Sequence, residues 1–451
     1  MILRNALTRD RWQAVPMFRY YPDLLAAPVP RYTSYPTAAQ FTEAVGAEAL
    51  AERLDTLPQD AGISLYLHIP YCHDICWYCG CNTGAATRPR RLAIYVDALE
   101  QEIALVASRL GGRRRVTHIA FGGGSPNSLP LVDWVRLNHQ LLLCFDTSAA
   151  ALSVEIDPRR LDQAWIDAMG QIGVSRVNLG VQTFAPHVQR AIGRVQPVDM
   201  VQAAVAGLRR VQIDVGFDLM YGLPGQSEAD LAETLETSIR LAPSRIALFG
   251  YAHMPHLLHR QRRIAQADLP DMATRFAMAT QGHAMLTAAG YRAIGFDHFA
   301  LPDDPLAQAA IGGTLRRNFQ GFTEDDSDVL IGLGASAISQ FPDLIVQNEK
   351  NAGAYREIIA QERLTATRGV KRSADDQKRG RLIERLLCDG VAPSEGVGQS
   401  RDLARFVDMG IARLNDGLIE IRPEAQPYAR SVAACFDAYL RPAEGRFSHA
   451  V

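Results

Sequence analysis

Between residues 65 and 251 short apolar runs recur: LYLHIP (65–70), HIAFGGG (118–124), LSVEID (152–157), RVNLGVQT (176–183), VGFDLMYG (215–222) and RIALFGY (245–251). Each is followed by a stretch with helical spacing. Near-continuous hydrophobicity of this kind predicts parallel strands buried on both faces. After the first run, Leu92, Tyr95, Val96, Leu99, Ile103, Val106 and Leu110 fall on one helical face and predict an amphipathic connector. Six such units predict an α/β chain built on a barrel or partial (β/α)6-type barrel.

In barrels of this type the loops at the carboxyl ends of the strands converge on one mouth. The unusual residues lie there. A cysteine loop follows the first strand and Gly122-Gly123-Gly124-Ser125-Pro126 the second; Glu155 and Asp157 mark the third, Asn178 and Gln182 the fourth, Asp218 and Tyr221 the fifth, and Tyr251 to His253 the sixth. Residues 1–50, irregular and proline-rich (PVPRYTSYPTA), read as an N-terminal arm. Residues 51–345 read as the barrel with a substrate-binding extension. From 346 to 451 the strand–helix rhythm stops, and a small, mostly helical C-terminal domain with a winged-helix flavour is expected, with helices at 374–388 and 427–440 and a short strand LIEI after the turn Asn415-Asp416-Gly417.

Charge adds an exclusion: 47 basic against 49 acidic residues leave no bias toward nucleic acid or an anionic membrane surface. No apolar run reaches the roughly 18 residues a membrane span needs. The start, MILRNALTRDRW, is too charged for a signal peptide. A cytoplasmic location without membrane insertion is expected. Four of the seven cysteines crowd between residues 72 and 81, which suits a metal or redox site in a reducing compartment better than a disulfide framework. Cys144, Cys388 and Cys435 stand in apolar surroundings and read as core thiols. GLGASA (332–337) imitates a dinucleotide fingerprint but lacks the following strand–helix unit. His68, His73, His253 and His298 lie near the motif segments, as structural or catalytic groups.

The chemistry is carried by Cys72-His-Asp-Ile-Cys76-Trp-Tyr-Cys79, a C-x3-C-x2-C loop. Iron–sulfur clusters are held by cysteine thiolates, and three thiolates leave one iron of a [4Fe–4S] cube open to chelate a cofactor. Zinc is the competitor, but its sites pair two C-x2-C units or add histidines at fixed spacing, and no second unit is present.

The cysteine loop after a first strand, Tyr78 just before its third cysteine, and GGGSP after the second strand resemble the radical S-adenosylmethionine (SAM) superfamily. Within it the chain is similar, from Pro30 onward, to the oxygen-independent coproporphyrinogen III dehydrogenases, also called oxidases. The similarity runs through PRYTSYPTA, YLHIPYCHDICWYCGCN, VEIDPR, LGVQTF, FDLMYGLPGQ, GYAHMPH, GFDHFALPDD and RNFQGFTEDDSDVL. The resemblance implies a [4Fe–4S] cluster on Cys72, Cys76 and Cys79, reductive cleavage of SAM to a 5′-deoxyadenosyl radical, and oxidative decarboxylation of two propionates of coproporphyrinogen III to vinyl groups, giving protoporphyrinogen IX. It places Tyr66, Cys81 and Glu155 at the catalytic centre. For SAM it implies contacts from Tyr66, Tyr78, Gly123, Gly124, Ser125, Glu155, Gln182, Arg194, Asp218, Ala252 and Ile338. The glycines would let backbone approach the cofactor closely. Arg31, Arg316 and Arg317 are candidate partners for the four propionates. Partners are coproporphyrinogen III, a low-potential electron donor and an electron acceptor, with no nucleic acid, and the chain is expected to be a monomer. Two alternatives share the fold: a haem-binding chaperone, in which Asp-Phe typically follows the third cysteine where this chain has Gly80-Cys81-Asn82, and a radical SAM methyltransferase acting on haem.

Overall fold

The computed structural model describes residues 18–394 and 401–440; expectations for residues 1–17, 395–400 and 441–451 lie outside the described residues. All six expected strands are present: β1 (Ile63–Ile69), β2 (Val116–Gly123), β3 (Ala151–Ile156), β4 (Arg176–Gln182), β5 (Asp214–Tyr221) and β6 (Arg245–Gly250). They lie side by side in chain order, every neighbour parallel. Parallel pairs need long crossovers, and these carry α1 (Pro89–Arg109), α2 (Leu131–Cys144), α3 (Gln163–Ile172), α4 (Val198–Arg210) and α5 (Glu228–Leu241). The face expected on α1 is the buried one: Leu92, Tyr95, Val96, Leu99, Ile103 and Val106 all lie in the core, as does Leu110 just past the helix end.

Burial on both faces does not hold for every strand. In β3 and β4 buried and half-buried residues alternate. Leu152, Val154, Ile156, Val177 and Leu179 belong to the apolar core, while Glu155, Asn178 and Gly180 face a cavity. The barrel interior is therefore a site, and only its outer face supplies the continuous apolar packing that the pattern suggested.

The sheet extends beyond the six strands. After α6 (Met272–Ala288) come β7 (Arg292–Ile294), β8 (His298–Ala300), β9 (Leu330–Leu333), β10 (Ile338–Phe341), β11 (Leu344–Asn348) and β12 (Ala366–Lys371). The order is β12-β11-β10-β9-β1-β2-β3-β4-β5-β6-β8-β7. β9 is parallel to β1, whereas the outer strands are antiparallel. The boundary expected at 345/346 falls inside β11, because these hairpin strands carry the sheet onward without any strand–helix rhythm. GLGASA is the turn from β9 into antiparallel β10, with Gly334 at φ +97°. A Cβ on Gly334 would stand 2.6 Å from both the His68 carbonyl oxygen and the Tyr95 hydroxyl, so glycine is required there.

Two buried polar clusters tie this frame. Glu102 of α1, 2% exposed, accepts hydrogen bonds from Gly334 N (2.5 Å), Thr365 (2.5 Å), Tyr355 (2.8 Å) and Asn348 (3.0 Å). At the amino-terminal ends of β4 and β6, Arg176 and Arg245 converge on Glu324 at 3.1 and 2.8 Å, and Arg245 also holds Asp304 at 2.6 Å.

Beyond the sheet, α7 (Ala374–Asp389) packs with a three-stranded sheet of Val391–Pro393, Leu418–Ile421 and Ala412–Asn415. The helix expected at 427–440 is shorter, Ala429–Ala434, preceded by a 3-10 turn at Pro423–Tyr428. Of the expected core thiols Cys388 is buried, whereas Cys144 and Cys435 are half-buried against the core.

Candidate active site

The cysteine loop leaves β1 and is pinned at several points. Tyr71–Cys72 pairs in parallel with Gly84–Ala85, closing the loop at its base. Trp77 N donates to the Ile192 carbonyl at 3.0 Å, and a Cβ on Gly193 would stand 2.9 Å from the Trp77 ring. Gln261 donates to Tyr78 O at 2.8 Å, and Arg260 to the Thr83 hydroxyl at 2.8 Å.

The loop roofs a cavity of about 390 Å3 at the carboxyl ends of the strands. Cys72, Cys76, Cys79, Cys81, Tyr78, Gly123, Gly124, Ser125, Glu155, Gln182, Arg194, Asp218 and Ala252 all line it. Strand register explains part of this convergence: Glu155 lies opposite Asn178, and Asp218 opposite Gly180, on neighbouring strands. Tyr66 and Ile338 do not line this cavity. Tyr66 is buried, with its hydroxyl 3.1 Å from His68 Nδ1 and its ring edge-on to Phe319. Ile338 begins β10 and packs its backbone against Gly332, the β9 partner of Tyr66. Burial, and then Glu155 and Cys81 of the cavity, push the Tyr66 phenol up, so it lies next to the cavity residues.

The glycines are also required by the packing of the protein itself. A Cβ on Gly122 would stand 2.7 Å from the Glu155 carboxylate, one on Gly123 2.4 Å from the His68 ring, and one on Gly124 2.4 Å from Tyr71 O. Their missing side chains let this loop nest against β1 and β3. The Ser125 hydroxyl is likewise engaged within the protein, bonding Asn127 and receiving Asp157 N at 3.1 Å. Gln182 sits at a register shift at the end of β4 with φ +65°, a left-handed conformation that a residue other than glycine adopts at a cost of order 1–3 kcal/mol.

Electrostatics divide the cavity. Around Cys76, Arg194 Nη1 lies 3.3 Å and Arg159 Nη2 3.6 Å from Sγ. Both guanidiniums also engage Asp157, Arg159 at 2.6 Å and Arg194 at 3.3 Å. Burial alone would raise the Asp157 carboxyl, but the two arginines hold it below its ordinary range. Cys79 is drawn down to about 6, chiefly by the Cys81 thiol, and it also receives the Cys81 backbone N–H at 3.3 Å. On the opposite wall Glu155 is raised by burial, partly offset by the Gly123 N–H at 3.3 Å. Burial and the neighbouring Glu155 push Asp218 up to about 7. His68 is lowered to about 4 by burial and is neutral at ordinary pH. His253 and His298 pair with Tyr251 and Asp297, and His73 is exposed.

Arg159, Arg260 and Gln261 escaped the sequence reading. Arg159 follows a strand end in a charged pair, the usual signature of a solvent-facing turn. Arg260 and Gln261 lie in HRQRR, which reads as a solvated charge run. Among the described residues no three His, Cys, Asp or Glu side chains are grouped as the ligands of a single metal ion would be. Cys72, Cys76 and Cys79 line one cavity.

The model of the radical SAM superfamily matches residues 66–237. The chain is 42% identical over 437 residues to an oxygen-independent coproporphyrinogen III oxidase of Bradyrhizobium diazoefficiens, covering 94% of this chain and 97% of that protein. It is 36% identical to the corresponding protein of Escherichia coli, covering 91% and 93%. The solved structure of the E. coli coproporphyrinogen III oxidase HemN, described as a radical SAM enzyme, superposes with a TM-score of 0.88 at 33% identity, covering 94% of this chain and all of that one. With likeness of this extent in both sequence and structure, the chain belongs to the oxygen-independent coproporphyrinogen III oxidase family of radical SAM enzymes.

Proposed function

We propose that Cys72, Cys76 and Cys79 each hold one iron of the family's [4Fe–4S] cluster, and that the wall formed by Tyr78, Gly123, Gly124, Ser125, Glu155, Gln182, Arg194, Asp218 and Ala252 receives SAM. The observation that carries this reading is the opening of all three motif cysteines onto one cavity, with guanidiniums beside one sulfur and the carboxylates of Glu155 and Asp218 also lining it. Bound there, the cluster and SAM supply one-electron chemistry that activates a propionate side chain of coproporphyrinogen III toward loss of CO2, leaving a vinyl group.

The chain's own residues do the rest. Arg194 and Arg159 compensate the negative charge gathered at Cys76 and are themselves oriented by Asp157. The Glu155 carboxylate, fixed by Gly123 N–H, presents an acceptor suited to hydroxyls or to a cationic centre. Asp218, pushed up to about 7 by burial and Glu155, offers either a donor or an acceptor from the cavity wall. Tyr66 and Ile338 are proposed to add further SAM contacts, and Cys81 lies in the cavity beside Cys79. Among the described residues no helix is long and apolar enough to cross a membrane. A cytoplasmic monomer drawing electrons from a low-potential donor and passing them to an acceptor completes the reading.

The test is anaerobic turnover of reconstituted protein with reductant, SAM and coproporphyrinogen III, followed by mass spectrometry of the oxidised porphyrins. Sequential loss of two carboxyl groups is the expected result. Return of the tetra-acid unchanged from a protein with an intact cluster would overturn the substrate assignment in favour of haem transfer or haem methylation.

A further inference from the structure

We propose that Gln261 is a positioning residue for SAM, holding the Tyr78 segment of the cysteine loop and the Ala252 segment beyond β6 at one separation across the cavity. The inference rests on the SAM reading above. Gln261 belongs to the 3-10 turn His259–Arg263, the run HRQRR whose sequence reads as solvated surface. Its side chain is instead buried, 1% exposed, and lines the cysteine cavity.

A buried amide is costly unless it is hydrogen-bonded, and here both N–H donors and the oxygen are used. Nε2 donates to Tyr78 O at 2.8 Å and to Ala252 O at 3.1 Å, and Oε1 accepts from Met254 N at 2.6 Å. The partners fix which end is which, because a carbonyl only accepts and a backbone N–H only donates. Tyr78 stands between the second and third motif cysteines, whereas Ala252 and Met254 follow β6. The same turn grips the cysteine loop twice more: Arg260 donates to the Thr83 hydroxyl and carbonyl at 2.8 and 3.1 Å, and Arg263 stacks 5.5 Å over Trp77. The turn is itself anchored to the β6 side, with Gln261 N donating to Leu258 O at 2.9 Å and Leu258 N to Met254 O at 2.8 Å.

Apolar packing also holds the loop. Trp77 and Tyr78 rest on a small cluster of Ala185, Val188, Ile192, Leu223, Tyr251 and Ile264 that is separate from the main core. The hydrophobic effect is non-directional, so this contact keeps the loop down without setting its offset from β6. Hydrogen bonds are directional, and the three of Gln261 set that offset. Tyr78 and Ala252 both stand on the wall assigned to SAM, and a binding site works only when its contacts are held to within about 0.5 Å of one another. An apolar residue of the same length would fill the space and leave the two segments free to shift.

The test is SAM binding to cluster-loaded protein by anaerobic equilibrium dialysis, expressed per bound cluster, for the wild type, Gln261→Met and Gln261→Asn. Met matches the glutamine in length without its donors. Asn keeps the amide on a stem one methylene shorter, which does not reach both carbonyls. Each variant is expected to bind SAM roughly tenfold or more weakly, with iron content and the affinity for coproporphyrin III unchanged. In turnover, KM for SAM should rise while KM for coproporphyrinogen III stays at the wild-type value, a split that a general loss of stability does not produce. Wild-type SAM affinity in either variant that retains its cluster would overturn the proposal. Loss of iron from both would overturn it too, since Gln261 would then serve cluster retention rather than SAM. A cluster-loaded wild type that bound no SAM would instead overturn the SAM reading, and the wild-type dialysis alone reports that.

Discussion

At Cys76 a sulfur lies within reach of two guanidiniums that share one carboxylate. A thiolate in that setting gives up water at little cost, which is what a buried iron ligand needs. Replacing Cys76 by Ala is expected to abolish both cluster and turnover, read as loss of bound iron and of the cluster's visible absorbance. Cys388→Ala is expected to keep the iron unchanged and cost about 1 kcal/mol of stability, measured by denaturant unfolding, because that thiol only fills core. The motif cysteines and glycines are legible in sequence because few residue types can replace them. Arg159 is not, since a charged residue three places past a strand end looks the same whether it meets water or sulfur. The packing need for the glycines was not legible: the clashes they avoid are with Glu155, His68 and Tyr71 O, partners remote in sequence.

Among the elements, α1 does more than cover the sheet. Its Glu102 takes four hydrogen bonds from three segments beyond β9, and burial raises its pKa even though those bonds pull it down. Glu102→Ala would strand these donors, and a loss of about 3–5 kcal/mol is expected, checked by urea unfolding of the holoprotein. At the opposite end of the barrel Glu324 joins the starts of β4 and β6. Burial would raise its carboxyl, but Arg176 and Arg245 hold it well below its ordinary value. A carboxyl depressed in the folded state stabilises above the unfolded pKa of about 4.3, and that stabilisation fades as pH falls through the folded value. Glu324→Gln should therefore destabilise the protein at pH 7 and flatten the acid limb of its stability curve, as thermal unfolding between pH 3 and 7 would show. Strand positions and the α1 face could be read from periodicity. The antiparallel additions β10 to β12 could not, because short hairpin strands lack the long apolar run that announces a parallel one.

At the scale of the molecule, the described part of the arm is tied to the C-terminal region. Tyr428 accepts from Tyr21 N at 2.8 Å and donates to Arg19 O at 2.7 Å. Tyr428→Phe removes both bonds, and faster hydrogen exchange and proteolysis across residues 19–31 are expected, with a stability loss of about 1–3 kcal/mol. The sequence by itself determined the strand–helix alternation, the cysteine loop with its chemistry, and the family, because each is written in local spacing or in residue types that admit few substitutes. Only the tertiary structure decided that Glu155, Asn178 and Gly180 face a cavity within the barrel, that Arg159 and Arg194 meet at Cys76, and that Arg31, Arg275 and Arg430 line one cavity. These are facts of long-range proximity, and a chain carries no local mark of which distant charges its folding will bring face to face.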